Sequence, residues 1–470
     1  MKQSVILLLL GIALLPMGCT MAPNNTRPIA PVSAAWPVGA AYAETTSTTN
    51  AGVVADLGWQ EFFTDEKLRH VIAASLTNNL DLRAAALNVE LARAIYGIQR
   101  ASLLPTFGLG ASESKAGIPA DLSSSGSHMT TTRYDANLGI AAWEIDFFGR
   151  IRSLKNRALH EYLATEQARR SAQILLISAV AETYLALAAD RESLQLAETT
   201  LKSQRDAYAL IQHRFDRGIV TELDLYRAQT QVDTARGDVA TFKQRVAQDE
   251  NAVNLLAGAS VSAELLPTKL GEVKQPLEIQ AGLSSEVLLR RPDVLQSEDM
   301  LKAANADIGA ARAAFFPRIS LTTAIGTASR ELSGLFMAGS GAWMYAPQIV
   351  MPIFDARTWS ALTAAKAQQK IAVNQYEKAI QSAFREVADT LAVRGTVNEQ
   401  VSAQESLVNA VTATHRLSTS RYDKGIDSYL SVLDAQRSLY GAQQRLVLLR
   451  YSKLVNQIRL YAVLGGGGQK

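Results

Sequence analysis

The sequence predicts a mainly helical chain that carries four membrane β-strands and arose by internal duplication. Three observations predict this fold class: hairpin motifs that occur twice, four stretches of alternating residues, and long series of heptads. The motif Arg214–Ile219 returns as Arg421–Ile426, 207 positions later, and each copy follows a long helical run. Basic residues followed by glycine are typical of a helix C-terminus. Each motif therefore marks the tip of a helical hairpin.

Two further pairs of motifs support the duplication and suggest the domain boundaries. Arg100–Pro105 matches Arg312–Pro317, 212 positions later, and Phe147–Arg150 lies in the same place as Ile353–Ala356. The predicted segments are a signal peptide (1–18), an extended lipidated segment (19–63), a first repeat (64–257), a linker that forms a small mixed belt beside the helices (258–283), a second repeat (284–464) and a flexible tail (465–470).

Composition narrows the possible functions. The chain has 470 residues, of which 48% are hydrophobic and 19% charged, which suits a packed core. The net charge is only +3, and no basic cluster with interleaved aromatic residues indicates a nucleic-acid partner. The five histidines show no metal-ligand spacing, and no nucleophile or phosphate-binding motif occurs in the mature chain. We therefore expect no enzyme activity, no catalytic residues, and no cofactor or metal site.

The N-terminus carries an export signal. A basic start at Lys2 precedes an apolar run over Val5–Leu15, which is too short to span a bilayer. The run ends at Cys19, the only cysteine, and resembles a bacterial lipoprotein signal, although Pro16 stands where the signal usually has leucine. The resemblance implies diacylglycerol and an N-acyl group on Cys19, which would anchor the chain at a membrane surface. The alternative is an ordinary secretory signal with an incidental cysteine.

Helices and strands alternate in the same order in both halves. A helical pattern from Asp65 to about Leu104 ends at Pro105, and alternating residues then predict strands over 107–111 and 134–142. The second half repeats this order with a helix over about 285–316, a strand starting at 319, a strand at 343–351 and a helix from about 358; the predicted loops between the strands are 112–133 and 330–341.

The composition of the strands indicates a membrane. Apolar residues alternate with Gly, Ser, Thr, Asn and Gln, as expected when one face meets lipid and the other meets water. Trp143, Trp343, Tyr134 and Tyr345 lie near the predicted strand ends, where aromatic girdles occur. Four strands cannot close a barrel, and open edges in lipid leave backbone groups unpaired, so membrane strands would require oligomerisation. A small soluble sheet with one buried face is the alternative.

Heptads predict long, closely packed helices. A helix from about Arg150 to Arg214 would reach roughly 95 Å. Such helices suit a structure that projects from a membrane, although a soluble coiled-coil scaffold would show the same heptads. The heptad positions are Val180, Leu187, Leu194, Leu201, Tyr208 and Phe215; Leu225, Val232, Val239, Val246 and Val253; and Leu433, Tyr440, Val447, Leu454 and Tyr461.

Several longer motifs give the chain a family resemblance. They are Gly18–Pro23, Leu80–Arg83, Trp143–Arg150, Arg290–Val294, Ile308–Pro317, Leu430–Tyr440 and Tyr461–Gly467. Together they resemble the outer membrane factors of tripartite efflux pumps, the TolC/OprM-type lipoproteins. The resemblance implies a homotrimer whose twelve-stranded outer-membrane β-barrel continues into a long periplasmic α-helical barrel with a mixed equatorial domain. It also implies two partners, a periplasmic adaptor and an inner-membrane transporter of the resistance–nodulation–division class.

The same resemblance assigns functions to the hairpin tips. Arg421 and Tyr422 would lock a closed periplasmic gate, with Asp224 as an acidic partner. Asp434 would narrow the pore and favour cations. The implied gate residues are Asp224, Arg421, Tyr422, Ser428 and Asp434, of which Ser428 stands where some relatives have asparagine, and the implied adaptor contacts are Arg214, Gly218 and Gly425.

The resemblance favours a channel that conducts drugs or other small toxic compounds and performs no chemistry. A duct for metal-ion export or for type I protein export remains possible at this point. The eight methionines form no cluster that would suggest soft-metal handling. A lipid-anchored periplasmic coiled-coil scaffold, whose sheet stays in water, is the alternative from a different class.

Overall fold

The computed structural model describes residues 20–24, 26–42, 54–279 and 284–468. The predicted signal peptide and Cys19 lie outside the described residues. Within them the chain forms these helices and strands: α1 Trp59–Phe62, α2 Glu66–Asn78, α3 Leu80–Ala101, β1 Phe107–Ile118, β2 Met129–Ile145, α4 Arg150–Asp216, α5 Glu222–Ala257, α6 Pro292–Ala313, β3 Arg318–Ser329, β4 Gly341–Val350, α7 Ala356–Asp423 and α8 Tyr429–Val463.

The lengths of the elements confirm the duplication. Helices α3 and α6 both have 22 residues, α4 and α7 have 67 and 68, and α5 and α8 have 36 and 35. At 1.5 Å per residue, α4 and α7 are each about 100 Å long. Most heptad positions are buried or half-buried, including Val180, Leu187 and Leu454. The prediction of two long helical hairpins is therefore confirmed.

The first predicted helix is divided at Asn79. This residue has an extended backbone, with ψ at 127°, and ends α2. Its side-chain oxygen accepts a hydrogen bond from the Leu82 amide at 3.0 Å and so caps α3, while its amide donates to the Leu256 carbonyl at 3.1 Å. The prediction of one helix over 65–104 was wrong. The residues on both sides of Asn79 have high helix propensity, so the sequence pattern continues across the asparagine that ends one helix and caps the next.

The loop predicted over residues 112–133 is also much shorter. Strands β1 and β2 pair as far as Ile118 and Met129, so the loop spans only residues 119–128. Ser114 to Gly117 and Thr130 to Arg133 have small or polar residues on both faces, a composition typical of loops, but their backbones pair in register. In the second half, the predicted helix over 285–316 starts as a 3₁₀ turn, Ser285–Arg290, before α6 begins at Pro292.

The linker between the repeats contains 3₁₀ turns. In the part that the structure describes, residues 258–279 form the turns Ala263–Leu265 and Leu270–Glu272 and otherwise run extended without strand pairing. The strands of the four-stranded sheet are thus the only ones in the described residues, and the mixed belt predicted for this segment shows turns there instead.

The described chain divides into two compact units, and both repeats contribute to each. One unit combines Val89–Thr165 and Ser297–Tyr376 with the described residues up to Ile29, and it contains the sheet. The other combines Glu166–Gln296 and Glu377–Lys470 with Ala30–Asn88 in their described parts, and it contains the hairpin tips. In the second unit, Phe62 stacks on Tyr461 with ring centroids 3.9 Å apart, and the Tyr461 hydroxyl donates to the Leu57 carbonyl at 2.6 Å.

Candidate functional site

The four strands form one open antiparallel sheet in the order β1-β2-β3-β4. A row of large apolar residues crosses all four strands on one face, and these side chains are 51–86% exposed. No residue of the four strands is buried. A soluble sheet would bury one face, so this sheet has the surface expected of membrane strands. The row consists of Leu109, Leu138, Ile325 and Trp343.

The opposite face of the sheet is small and polar. Its neighbouring row consists of Gly110, Asn137, Gly326 and Ala342. A side chain at Gly326 would collide with the backbone of the next strand, because a Cβ atom there would lie 2.0 Å from the Ala136 carbonyl oxygen. The alternation predicted from the sequence is therefore confirmed. It gives the sheet one apolar face, suited to lipid, and one face of small and polar residues, suited to water.

The aromatic residues are placed less regularly than predicted. Trp143 lies near the end of β2, and Trp343 is the third residue of β4. Tyr134 and Tyr345 lie inside their strands, paired with Ser329 and Thr323. The shift of these tyrosines follows from the extra length of β2 and from the early start of β4.

The first hairpin tip, between α4 and α5, is closed by backbone hydrogen bonds and a cap. Gly218 has a φ of +71°, and the next amide, of Ile219, donates to the Arg214 carbonyl at 2.9 Å. This is the left-handed turn predicted for Gly218. Helix α5 then starts with a capping box, in which Thr221 accepts from the Asp224 amide and the Asp224 carboxylate accepts from the Thr221 amide at 3.2 Å.

The second tip, between α7 and α8, repeats the turn but replaces the cap with an ion pair. Gly425 has a φ of +75°, as predicted, and Ser428 makes no side-chain cap. Instead, the Arg421 guanidinium donates to both carboxylate oxygens of Asp427, at 2.5 and 3.1 Å. This guanidinium lowers the pKa of Asp427 below its usual range. Sequence reasoning missed Asp427, although its counterpart in the first repeat is the apolar Val220.

A polar contact at the tips joins the two hairpins. The Arg214 guanidinium donates from Nη1 to the Tyr422 hydroxyl at 2.6 Å, and its central carbon lies 5.0 Å from the centroid of the tyrosine ring. Arg214 was predicted as an adaptor contact, and the structure makes it the partner of Tyr422. The sequence signal for this pair is the change from Phe215 in the first repeat to Tyr422 in the second.

An apolar cluster lies beside this contact. Ile211 of α4, Ala228 of α5 and Tyr429 of α8 are buried together, and Tyr422 packs against them. Burial raises the pKa of Tyr429 to about 12, so this hydroxyl stays protonated at any physiological pH. The same hydroxyl has no hydrogen-bond partner in the described chain. The rings of Tyr422 and Tyr429 are 5.2 Å apart.

Two of the predicted gate residues, Asp224 and Asp434, contact neighbours on their own helices within the single chain. Asp224 and Arg421 form no ion pair with each other among the described residues, since each is held by its own turn. Asp434 is about half exposed and forms an ion pair with Arg437, one turn further along α8. The structure therefore brings together Arg214 with Tyr422 and Arg421 with Asp427, and leaves Asp224 as a helix cap.

The described residues offer no group of three His, Cys, Asp or Glu side chains that could hold a metal ion. One unit thus contains an open sheet with an exposed apolar face, and the other contains two helical tips that are joined by a hydrogen bond. A sheet of this kind cannot remain open in a membrane, because its edges carry unpaired backbone groups. These features define the protomer of an oligomeric membrane channel.

Comparison with known proteins supplies the family. The family model described as outer membrane efflux protein matches residues 71–259 and 283–466. The toluene efflux pump outer membrane protein TtgC of Pseudomonas putida is 46% identical over 451 residues, which cover 96% of this chain and 93% of the relative. The cation efflux system protein CusC of Escherichia coli is 40% identical and is matched over 98% of each chain. The chain therefore belongs to the outer membrane efflux protein family.

A solved structure agrees with this assignment. The MtrE outer membrane channel of Neisseria gonorrhoeae, solved in its open state, superposes with a TM-score of 0.85 at 36% identity and covers 96% of this chain and 98% of its own. The resemblance inferred from the sequence motifs and the fold inferred for one protomer are thus both confirmed. The named relatives are efflux and channel proteins rather than enzymes.

Proposed function

We propose that this protein is the outer membrane channel of a tripartite efflux pump and conducts small toxic organic compounds to the cell exterior. The observation that carries the proposal is the open four-stranded sheet, which has an exposed apolar row and no buried residue. Such a sheet is stable in lipid only when further copies pair with its edges. The family relationship supplies the direction of transport, since the relatives are named as efflux proteins.

Three copies would close the sheet into a barrel. They would supply twelve strands from the four of each chain, an even number within the range of natural outer-membrane barrels. The apolar rows would then face the lipid and the rows of glycine and asparagine the lumen. The long pairs of helices would pack in the same threefold arrangement to form a helical barrel. Apolar side chains that stay exposed on these helices in the single chain, such as Leu175, Leu407 and Leu448, would then contact neighbouring chains.

The channel would be passive, and its partners would supply energy and cargo. We assign the hairpin tips to the periplasmic adaptor because apolar side chains are exposed around both glycine turns. An inner-membrane transporter of the resistance–nodulation–division class, driven by protons, would load the channel. The exposed tip residues are Ile219 (67%), Leu223 (58%), Tyr226 (58%), Ile426 (58%) and Leu430 (42%).

The cargo is proposed to be organic. The relative named for toluene efflux is 46% identical to this chain, and the relative named for cation efflux is 40% identical. The second relationship keeps metal-ion export as the alternative cargo. Protein export has no named relative among these, and it remains a third outcome of the test below.

The gate is proposed to close at the hairpin tips. Arg214 and Tyr422 tie the first hairpin to the second, and Arg421 and Asp427 stiffen the turn of the second. Around a threefold axis, three copies of Asp434 would place negative charge at the constriction, and Arg437 would offset part of it. This arrangement would narrow the pore until the adaptor binds.

The protein is proposed to be held in the outer membrane by both its barrel and a lipid on Cys19. The lipoprotein-like signal supports the lipid, and the family name supports the membrane. An acyl anchor on its own gives only reversible binding unless a second signal accompanies it, and here the barrel would be that second signal.

The decisive experiment measures accumulation of a fluorescent dye, toluene and several antibiotics in a deletion strain. Higher accumulation on deletion is expected, with reversal by the restored gene and renewed accumulation when the proton gradient of the complemented strain is collapsed. Unchanged accumulation of every organic compound, together with increased sensitivity to copper or silver ions, would replace the proposal with metal-ion export. Loss of a secreted protein from the medium would instead indicate protein export.

A further inference from the structure

A small cavity lies between α7, α8 and the segment that follows the 3₁₀ turn Leu270–Glu272. Its volume is about 100 Å³, and all of its lining residues belong to the compact unit that contains the hairpin tips. One water molecule occupies about 30 Å³ in the liquid, so the cavity has room for a small polyatomic ion or for a few waters. The residues used below are Glu278, Arg394, Lys453, Asn456 and Gln457.

The cavity is lined by Arg394, and one nitrogen of its guanidinium lacks a hydrogen-bond partner. The Nη1 atom of Arg394 is fully buried and makes no hydrogen bond within the described chain. The one ion pair found there for Arg394 is with Glu278, at 3.6 Å, and the carboxylate of Glu278 is 76% exposed. This distance is too long for a direct hydrogen bond. A buried charged donor left unpaired destabilises the fold, so a partner for Nη1 is expected.

Two more groups of the cavity point to the same kind of partner. Lys453 lines the cavity from α8 and forms no ion pair with any described residue. Among the lining residues, Glu278 is the acidic one that faces these two cations, and it is exposed. The Oε1 atom of Gln457 is also buried without a partner, and a half turn of the amide would present its N–H₂ group in the same place. The amide of Asn456 is already held by the Thr390 carbonyl, at 3.2 Å.

We propose that this cavity is a binding site for a small oxoanion of the size of phosphate or sulfate. Arg394 would donate to the anion from Nη1, Lys453 would donate from its ammonium group, and Gln457 would donate from its amide. An oxoanion suits the site because it offers several acceptor oxygens to donors that come from two different helices. The bound anion would join α7 to α8 beneath the segment that carries Glu278.

The test is a calorimetric titration of sodium phosphate into the full-length protein in detergent, with ionic strength held constant by sodium chloride. Saturable binding of one phosphate per chain is expected. Arg394→Gln should weaken binding at least tenfold, because it removes the unpaired donor, and Lys453→Gln should weaken it less. The matched control is Arg450→Gln, which removes a half-exposed arginine of α8 that pairs with Glu405 at 2.9 Å and should leave phosphate binding unchanged.

A second variant keeps the test decisive if Arg394→Gln does not fold. Gln457→Glu places a carboxylate inside the cavity, where it would pair with Arg394 and exclude phosphate. This variant should lose phosphate binding while unfolding, without phosphate, at a temperature about 2–4 °C higher than the wild type. No saturable binding in the wild type would overturn the proposal. Binding that persists in Gln457→Glu, or that is lost equally in Arg450→Gln, would overturn it as well.

Discussion

Tyr422 and Tyr429 have ring centroids 5.2 Å apart, yet they differ in one respect that decides their function. The Tyr422 hydroxyl accepts a hydrogen bond from Arg214 at 2.6 Å, whereas the Tyr429 hydroxyl is buried without a partner in the described chain. A hydrogen bond from a charged donor stabilises, and an unpaired buried hydroxyl does not. Removing the hydroxyl oxygen should therefore affect the tips in Tyr422 but not in Tyr429.

Tyr422→Phe should loosen the hairpin tips, which we propose as the gate. The lost bond is half-exposed, so we expect a cost of about 1 kcal/mol, which is a roughly fivefold shift towards the open state. Conductance of the purified channel in planar bilayers should rise, and cells should become more sensitive to large antibiotics such as vancomycin. Combining Tyr422→Ala with Asp434→Ala should increase both effects.

The matched control is Tyr429→Phe. Because its hydroxyl makes no hydrogen bond within the chain, this change should leave conductance unchanged and alter the free energy of unfolding by less than about 1 kcal/mol. Equal conductance for the wild type and Tyr422→Phe would remove the gate function of the pair Arg214 and Tyr422. A larger rise in Tyr429→Phe than in Tyr422→Phe would do the same.

The ion pair between Arg421 and Asp427 should make the second tip sensitive to acid. The guanidinium lowers the pKa of Asp427, so the pair contributes fully at neutral pH and is lost progressively as the pH falls below about 4. Bilayer conductance of the wild type should accordingly rise as the pH falls from 5 to 3.

Asp427→Asn provides the reference for this titration. This variant should be more conductive already at pH 7. As the pH falls, its conductance should rise less than that of the wild type. Other carboxylates at the tips titrate in both proteins, so their effect cancels in the comparison. Parallel pH profiles for the two proteins would show that the ion pair does not hold the gate.

At the residue scale, the turns could be predicted and the partners could not. Gly218 and Gly425 follow basic helix ends, and this local pattern is sufficient to predict their positive φ angles. The pairing of Arg214 with Tyr422 joins residues 208 positions apart, and no local rule predicts it. No local motif predicts a contact for Asp427, although the two repeats differ at this position, where the first has Val220 and the second an aspartate.

At the scale of elements, the least regular strand is β2. Its register with β3 shifts between Ile140 and Trp143, and Ala142 lies in this bulge with a φ of +50°. Residues other than glycine pay about 1–2 kcal/mol for the left-handed conformation. Ala142→Gly should therefore stabilise the sheet by about 1 kcal/mol, against the usual effect of glycine in a strand.

The measurement is the temperature at which the protein changes its migration in gels after heating. Ala142→Gly should raise this temperature by about 2 °C. Ala141→Gly, at the neighbouring position without positive φ, should lower it, because there glycine only adds freedom to the unfolded chain. If both variants lowered the temperature to the same extent, the bulge would not be strained.

Some helices and strands could be predicted from sequence patterns, and others could not. Heptads predicted α4, α5 and α8 well, since a pattern repeated over about 30 residues outweighs local noise. The break at Asn79 was missed because it depends on a single cap and on a contact with Leu256, a residue distant in sequence. The outer parts of β1 and β2 were missed because residues that meet water on both faces lose the alternation that identifies a strand.

At the scale of the whole molecule, the described start of the chain is held by contacts that need no lipid. The Thr20 hydroxyl lies 3.3 Å from that of Ser153, and the Arg312 guanidinium donates to the Met21 carbonyl at 2.9 Å. Further along, Arg27 forms an ion pair with Glu298 at 2.5 Å. Thr20 and Met21 follow Cys19 directly, so the proposed lipid would add membrane attachment to a segment that already contacts the rest of the protein.

Replacing Cys19 by alanine, with an ordinary secretory signal in front, should therefore leave assembly intact. A closed barrel of three chains buries its edges and its apolar face in the membrane, and an acyl chain adds only marginal binding to that. We expect unheated gels to show the trimer band at wild-type strength and dye accumulation to stay near the complemented level. The comparison needs matched amounts of protein in the outer membrane fraction, because export through a different signal can change the yield. Monomeric protein that reaches the outer membrane but forms no trimer would show that the lipid, and not the sheet, drives assembly.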